Sequence, residues 1–176
     1  MAKQGSIDGK RITLRLLSER DATGKYCAWL NDPQVNKFLD TKGSTIEELK
    51  EYVRAKEKSA SDFLYGIFLK ENGAHIGNVK LEIDAPKDAK KTANIGIVIG
   101  EKGSWGKGYA AESIALLSGF ALGKLGLDGV WAGIVVENIP SIRAFEKAGF
   151  EVGPEVEKVG PGGKLRKVRI VRMERK

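Results

Sequence analysis

Apolar residues recur along the chain with two different periods, and the switches between them mark out its elements. Ile12, Leu14 and Leu16 alternate with Arg11, Thr13 and Arg15, the period of a strand with one wet face, so a strand is predicted over about residues 10–16. Ser18 stands as the N-cap of a helix running through Asp21 to Leu30, and Asp32-Pro33 ends it and starts a short second turn. Ser44 with Glu47 and Thr45 with Glu48 both fit a capping box ahead of Ile46, Leu49 and Val53, which predicts a second helix to about Ser59. Residues 63–70 and 74–84 read as antiparallel strands joined by Glu71-Asn72-Gly73, whose Asn-Gly pair is a strong hairpin signal. His75 opens the second of them, where a surface or hairpin role outweighs general base catalysis. Residues 85–91, with Pro86 and four charges, read as an exposed loop.

Beyond that loop, residues 93–100 form an apolar strand, and Ala110, Ile114, Leu117 and Ala121 mark one face of a helix reaching about Leu125, with Gly126 as a left-handed stop. Residues 130–136 are continuously apolar, as expected of a strand covered on both faces. A strand, helix and strand of this length imply right-handed parallel pairing. Asn138 caps the next helix, Pro140 is tolerated in its first turn, and Gly149-Phe150 ends it with Phe150 able to touch Phe145. Segments near 150–152 and 165–173 would pair antiparallel across Gly160-Pro161-Gly162-Gly163. The fold class is α/β, with residues 1–176 as a single domain.

Composition narrows the chemistry. One cysteine, Cys27, excludes an internal disulfide, and one histidine beside it argues for chemistry without a metal in a reducing, cytoplasmic setting. No run approaches the ~18 apolar residues that a membrane span needs. Net charge is +7, which favours anionic partners such as coenzyme phosphates, nucleotides or RNA without choosing among them. The basic tail from Lys164 to Lys176 alternates with Leu165, Val168, Ile170 and Met173 and lacks stacking aromatics, so it reads as a solvated strand face rather than a nucleic-acid site. Trp131 opens an apolar strand and reads as core.

Between the apolar strand at 93–100 and the helix that follows lies Glu101-Lys102-Gly103-Ser104-Trp105-Gly106-Lys107-Gly108-Tyr109-Ala110-Ala111-Glu112. Glycines there let backbone N–H groups converge on an anion, and the helix start adds unpaired donors and the positive end of its dipole, which suits a pyrophosphate. A Walker loop is excluded, because Glu101 and Gly108 stand where it needs Gly and Ser or Thr. Gly106 to Ala111 fits the G-x-G-x-x-A dinucleotide fingerprint with Asp128 downstream, but Asp128 falls in the turn before the second strand instead of at its end.

Trp105-Gly106-Lys107-Gly108-Tyr109-Ala110 resembles the Arg/Gln-x-x-Gly-x-Gly/Ala loop of the GNAT superfamily of N-acetyltransferases, with Trp in the first position as in the subgroup resembling ribosomal-protein N-terminal acetyltransferases. Asn138-Ile139-Pro140-Ser141 through Glu146-Lys147-Ala148-Gly149-Phe150 is similar to that family's Asn-x-x-Ser helix. The resemblance implies a mixed, mostly antiparallel sheet of about seven strands with about four helices and a parallel strand pair around the acetyl-CoA site. It also implies acetyl transfer to a primary amine by direct attack on the thioester of acetyl-CoA, with no metal, DNA or membrane partner, in a monomer or homodimer. The cofactor residues so implied are Ile97, Val98, Ile99, Gly103, Ser104, Trp105, Gly106, Lys107, Gly108, Tyr109, Ala110, Asn138, Ser141 and Phe145, with an irregularity in the strand at Ile97-Val98-Ile99 supplying an oxyanion donor. Tyr26, Trp29 and Phe38 are the residues that could line the acceptor site.

The chain departs from the family in two places. Phe145 stands where many members carry a proton-donating Tyr, and Asn94 stands where a Glu is common. Ser141 is the remaining acid candidate, Glu82 the base candidate and Glu137 the next, while Glu112 complements the dipole of its helix. The acceptor reads as a protein N-terminus or, from Trp29-Leu30-Asn31-Asp32-Pro33 and Ile76-Gly77-Asn78, an amino-sugar nucleotide. A non-catalytic acyl-CoA sensor and a nucleotide-binding oxidoreductase are the competing classes.

Overall fold

In a computed structural model that describes residues 3–85 and 90–176, the chain runs β1 (Ser6–Asp8), β2 (Ile12–Leu16), α1 (Gly24–Asn31), α2 (Ile46–Lys58), β3 (Asp62–Leu69), β4 (His75–Ile83), β5 (Thr92–Ile99), α3 (Tyr109–Gly123), β6 (Gly129–Val135), α4 (Ile139–Lys147), β7 (Glu151–Val159) and β8 (Leu165–Glu174). Much of the loop expected at 85–91 lies outside the described residues. The eight strands make one sheet in the order β1-β2-β3-β4-β5-β6-β8-β7. Every neighbouring pair is antiparallel except β5 and β6, the crossover that α3 makes right-handed by rule.

Strand alternation sends side chains to two cores. On the α3 and α4 side, Ile12, Leu14, Tyr65, Ile67, Val79 and Ile95 pack against Ile114, Leu117 and Phe145. On the other side Leu17, Leu64 and Val98 meet Tyr26, Trp29, Leu49 and Val53 from α1 and α2. Burying both faces requires the near-continuous apolar runs that β3, β4 and β5 carry.

Three sequence expectations need correction. The helix expected from Ser18 is broken, because Asp21 folds back onto the Ser18 amide at 2.8 Å and also binds Arg15 at 2.7 Å, ending a 3₁₀ turn at Glu19–Asp21. Thr23 then caps α1, its hydroxyl accepting from the Tyr26 amide at 3.2 Å. The sheet gains a strand through β1, too short and polar to read from periodicity, and β7 runs on to Val159 as an exposed ribbon paired with β8. The capping box of Thr45 and Glu48 forms as expected, with Glu48 reaching back to the Thr45 amide at 2.8 Å.

His75 opens β4 within the hairpin and is half-buried there. A register shift between Ile67 and Phe68 brings it into pairing with Phe68, and its ring stacks on that phenyl at 4.6 Å. Trp29 meets its edge at 5.0 Å, and Nε2 lies 2.8 Å from Asn78 Oδ1. Burial pushes the imidazole below its ordinary value despite the Asn78 bond. The fold therefore favours the neutral ring. Its contribution is complete above about pH 6.5, the value in an unfolded chain, and is lost as pH falls toward the lower folded value. Thermal melts from pH 7.5 to 5 should show a steeper loss of Tm in the native chain than in His75→Gln; parallel slopes would remove the buried imidazole from the acid response.

Candidate active site

The glycine-rich loop closes into a cradle because two residues adopt left-handed backbone. Gly106 has φ +73° and Gly108 φ +81°, and Gly108 is the N-cap of α3. The amides of residues 106–111 meet no acceptor among the described residues, so a row of donors faces outward at the positive end of a 15-residue helix. Trp105, 44% exposed, donates its indole N–H to the Ile99 carbonyl at 2.8 Å and ties the loop to the end of β5. Gly103 and Ser104 belong to a 3₁₀ turn ahead of the cradle, and Ser104 is buried.

Arg11, which sequence reasoning did not single out, fixes the loop from below. Its Nη1 donates to the Lys107 carbonyl at 2.8 Å, its Nε to Glu112 at 2.8 Å, and its guanidinium lies 4.6 Å from the Tyr109 ring centroid. Glu112 also accepts from the Arg11 amide at 2.8 Å, so it joins β2 to α3 besides complementing the helix dipole. Burial tends to raise the Glu112 carboxyl, but the Arg11 contacts outweigh it and hold the group low. Arg11 is 44% exposed, so the pair adds little stability and its effect is geometric. Nothing local marks this contact, which spans 101 positions.

The second half of the site is a gap between parallel strands. Gly100 donates to the Ile76 carbonyl and Asp84 to that of Thr92, so even-numbered residues of β5 bond to β4 and odd-numbered ones point toward β6. Pairing with β6 covers only Thr92↔Gly129, Ala93↔Val130 and Asn94↔Trp131. Beyond that rung the ladder supplies no partner for the amide and carbonyl of Ile97 or the amide of Ile99. The expected irregularity within β5 is absent: its register with β4 is unbroken from Ile83↔Ala93 to Gly77↔Ile99, and divergence from β6 frees these groups instead. α3 and α4 begin at the carboxyl ends of the two diverging strands, so both helix N-termini open onto the gap.

Asn138 caps α4 through a long contact, 3.4 Å from its Oδ1 to the Ser141 amide, and the Ser141 hydroxyl has no partner among the described residues. Phe145 lies one turn further on, 1% exposed and edge-on to Phe150 at 4.9 Å, so its ring packs in the core. Tyr26 and Trp29, expected at the acceptor, are likewise buried at 4% and 7%, packed around His75, and only Phe38 keeps partial exposure beside them. Glu82 sits on the α2 face between Lys56 Nζ at 2.6 Å and Lys80 Nζ at 2.9 Å. Burial tends to raise its carboxyl, but those two bonds hold it below the usual range. Among the described residues no cluster of His, Cys, Asp and Glu could hold a metal, and no helix is long and apolar enough to cross a membrane.

A cradle of free amides beside an open parallel pair fits a long phosphorylated thioester such as acetyl-CoA, and comparison with known proteins agrees. The profile of the acetyltransferase (GNAT) domain matches residues 11–151. The chain belongs to the GNAT acetyltransferase family. It is an acyltransferase whose acyl donor is acetyl-CoA. It is similar to "Uncharacterized N-acetyltransferase p20" of Bacillus licheniformis, 26% identical over 81% of this chain and 80% of that one. Among solved structures, a GNAT-family acetyltransferase from Bacillus anthracis superposes with TM-score 0.80 at 21% identity, covering 97% of this chain and 98% of that one. A spermidine N-acetyltransferase from Vibrio cholerae, solved with CoA and spermine, gives TM-score 0.80 at 18% identity over 95% and 97%.

Two measurements test the cradle of this acetyltransferase. Gly108→Val places a β-branched residue at φ +81° and should weaken CoA binding at least about 10-fold by calorimetry; unchanged affinity in a folded variant would put the phosphates elsewhere. Arg11→Gln should cost about 10-fold in affinity for CoA and leave affinity for phosphate-free pantetheine unchanged, whereas equal losses would make Arg11 a general support of the fold.

Proposed function

We propose that this acetyltransferase carries the acetyl group to a primary amine on a protein N-terminus or an amino-sugar nucleotide, as a cytoplasmic monomer or homodimer akin to the ribosomal-protein N-terminal acetyltransferases. The observation that carries the reading is the freed Ile97 amide and carbonyl at the point where β5 leaves β6, next to the outward row of loop amides. The loop would hold the pyrophosphate, and the strand gap would admit the pantetheine arm beside Asn138. The amine nitrogen then bonds to the thioester carbon from the α1 and α2 face, the oxyanion accepts from a β5 amide, and the C–S bond breaks as the tetrahedral species collapses.

Proton transfer needs modest help. An α-amino group near pKa ~8 is substantially neutral at neutral pH, and this suits a site where Glu82, held low between two lysines, makes a weak base. The nitrogen's proton passes to water or Glu82, and the departing thiolate takes one from the Ser141 hydroxyl or from water. Phe145 offers no hydroxyl and no exposure, which leaves Ser141 as the side chain of α4 suited to that task.

Thiol release from acetyl-CoA, measured across amino-sugar nucleotides, peptides and polyamines, tests the function. Release with at least one amine is the expected result, and acetyl-CoA binding without release from any would mark an acyl-CoA sensor. Ser141→Ala should lower kcat by ~10² while raising KM less, because a general acid acts mainly on the departing thiolate. A loss below about 5-fold would reduce Ser141 to its place in the helix cap.

A further inference from the structure

The face of the sheet that meets the acceptor carries a cation without a carboxylate partner. Gly96 and Gly133 follow the last parallel rung on β5 and β6 and so flank the mouth of the gap. A lysine arches over each. The Lys80 stem lies over Gly96, where a Cβ would come within 2.8 Å of Lys80 Cε, and the Lys158 ammonium lies over Gly133, 3.7 Å from the corresponding point. Lys158 reaches there from β7, across β8, and its ammonium stands 4.7 Å from the Trp131 ring centroid.

The two lysines differ in their company. Lys80 shares Glu82 with Lys56, and Lys56 also holds Asp62, so those charges offset one another. Asp84 accepts from the Thr92 hydroxyl and the Trp131 indole. Lys158 has no carboxylate within 4.0 Å among the described residues. Directly opposite it in the β7–β8 register is a second cation, Arg166. Like charges facing each other across strands are unfavourable. Arg166 gives one nitrogen to Asp40 at 2.6 Å, while its Nε is buried without an acceptor. A lysine with spare donors beside a tryptophan at the mouth of the gap, with a second cation opposite it in register, makes an anion-recognition arrangement.

We propose that the acceptor is an amine whose molecule also bears a phosphate or carboxylate, and that Lys158, with Arg166 opposite, recognises that group and determines specificity. This rests on the acetyltransferase reading above and selects within it. A polycationic amine would meet Lys158 and Arg166 with like charge, whereas an anion-bearing amine supplies the counter-charge that they lack and is steered to the gap with its amine leading.

The test uses matched acceptors and thiol release. Glucosamine 1-phosphate against glucosamine probes the phosphate, a Ser-Asp peptide amide against Ser-Asn the carboxylate, and spermidine is the polycation. At least one anionic member should exceed its neutral partner about 10-fold in kcat/KM, which identifies the source of the charge. Lys158→Gln should collapse that ratio to about 1, and Lys158→Arg should retain it. A neutral or polycationic preference, or an unchanged ratio in Lys158→Gln, would overturn the proposal while leaving acetyl transfer standing. If no amine releases thiol, the catalytic reading fails instead, and calorimetry of glucosamine 1-phosphate and the Ser-Asp amide on the CoA-loaded protein then decides. Binding weakened about 10-fold by Lys158→Gln upholds the anion site, and equal affinity in both proteins, or no binding of either ligand, refutes it.

Discussion

The separation of β5 from β6 after Asn94↔Trp131 is the constraint on which the rest of the molecule turns. A parallel pair that stayed zipped would bury its backbone groups in a ladder and leave nothing to offer a ligand. By parting, the strands leave backbone donors and acceptors of Ile97 and Ile99 at the floor of a gap walled by two helix N-termini. The surrounding sheet sustains this, because β5 keeps full antiparallel pairing with β4 on its other edge and β6 keeps its own with β8. The sheet thus opens at one seam without losing the flanking ladders that hold each strand in place.

Three further contacts hold the gap's surroundings in register with it. Trp105 returns to the Ile99 carbonyl and takes one of the freed groups, so loop and strand end move as one piece. Asp40 and Arg166 join the segment before α2 to β8. Lys102 similarly binds Asp32 at 2.7 Å, tying the end of α1 to the turn that leads into the cradle. The last two are surface ion pairs of small energetic value, and their role is to set where elements sit.

What could be read from sequence was what local physics dictates. Gly106 and Gly108 announce themselves because left-handed backbone ahead of a helix is demanding for any other residue, and Asn138 and Thr45 because capping acts within one turn. Ser18 misled because two good caps lie five residues apart, and only the fold-back of Asp21 decides between them. Arg11 and the Lys158–Trp131 contact were invisible for one reason. Each depends on which strand lies beside which, and side-chain periodicity gives the face of a strand but not its neighbour. An internal irregularity was expected at Ile97-Val98-Ile99, whereas a diverging partner frees the Ile97 amide; the two leave the same trace in sequence.

The Arg11 contact has a bearing on how the protein forms. The cradle between residues 106 and 111 is local in sequence, yet its lower support comes from a residue placed nearly a hundred positions earlier. During synthesis β2 emerges long before the loop exists, and the loop can take its final shape only once a chain segment of that span has been closed. Loop-closure entropy and high sequence separation both place such contacts late in folding. The ligand site should therefore be among the last parts of the molecule to acquire native order, so that competence to hold an acyl donor reports completed assembly of the sheet from its first strands to its middle.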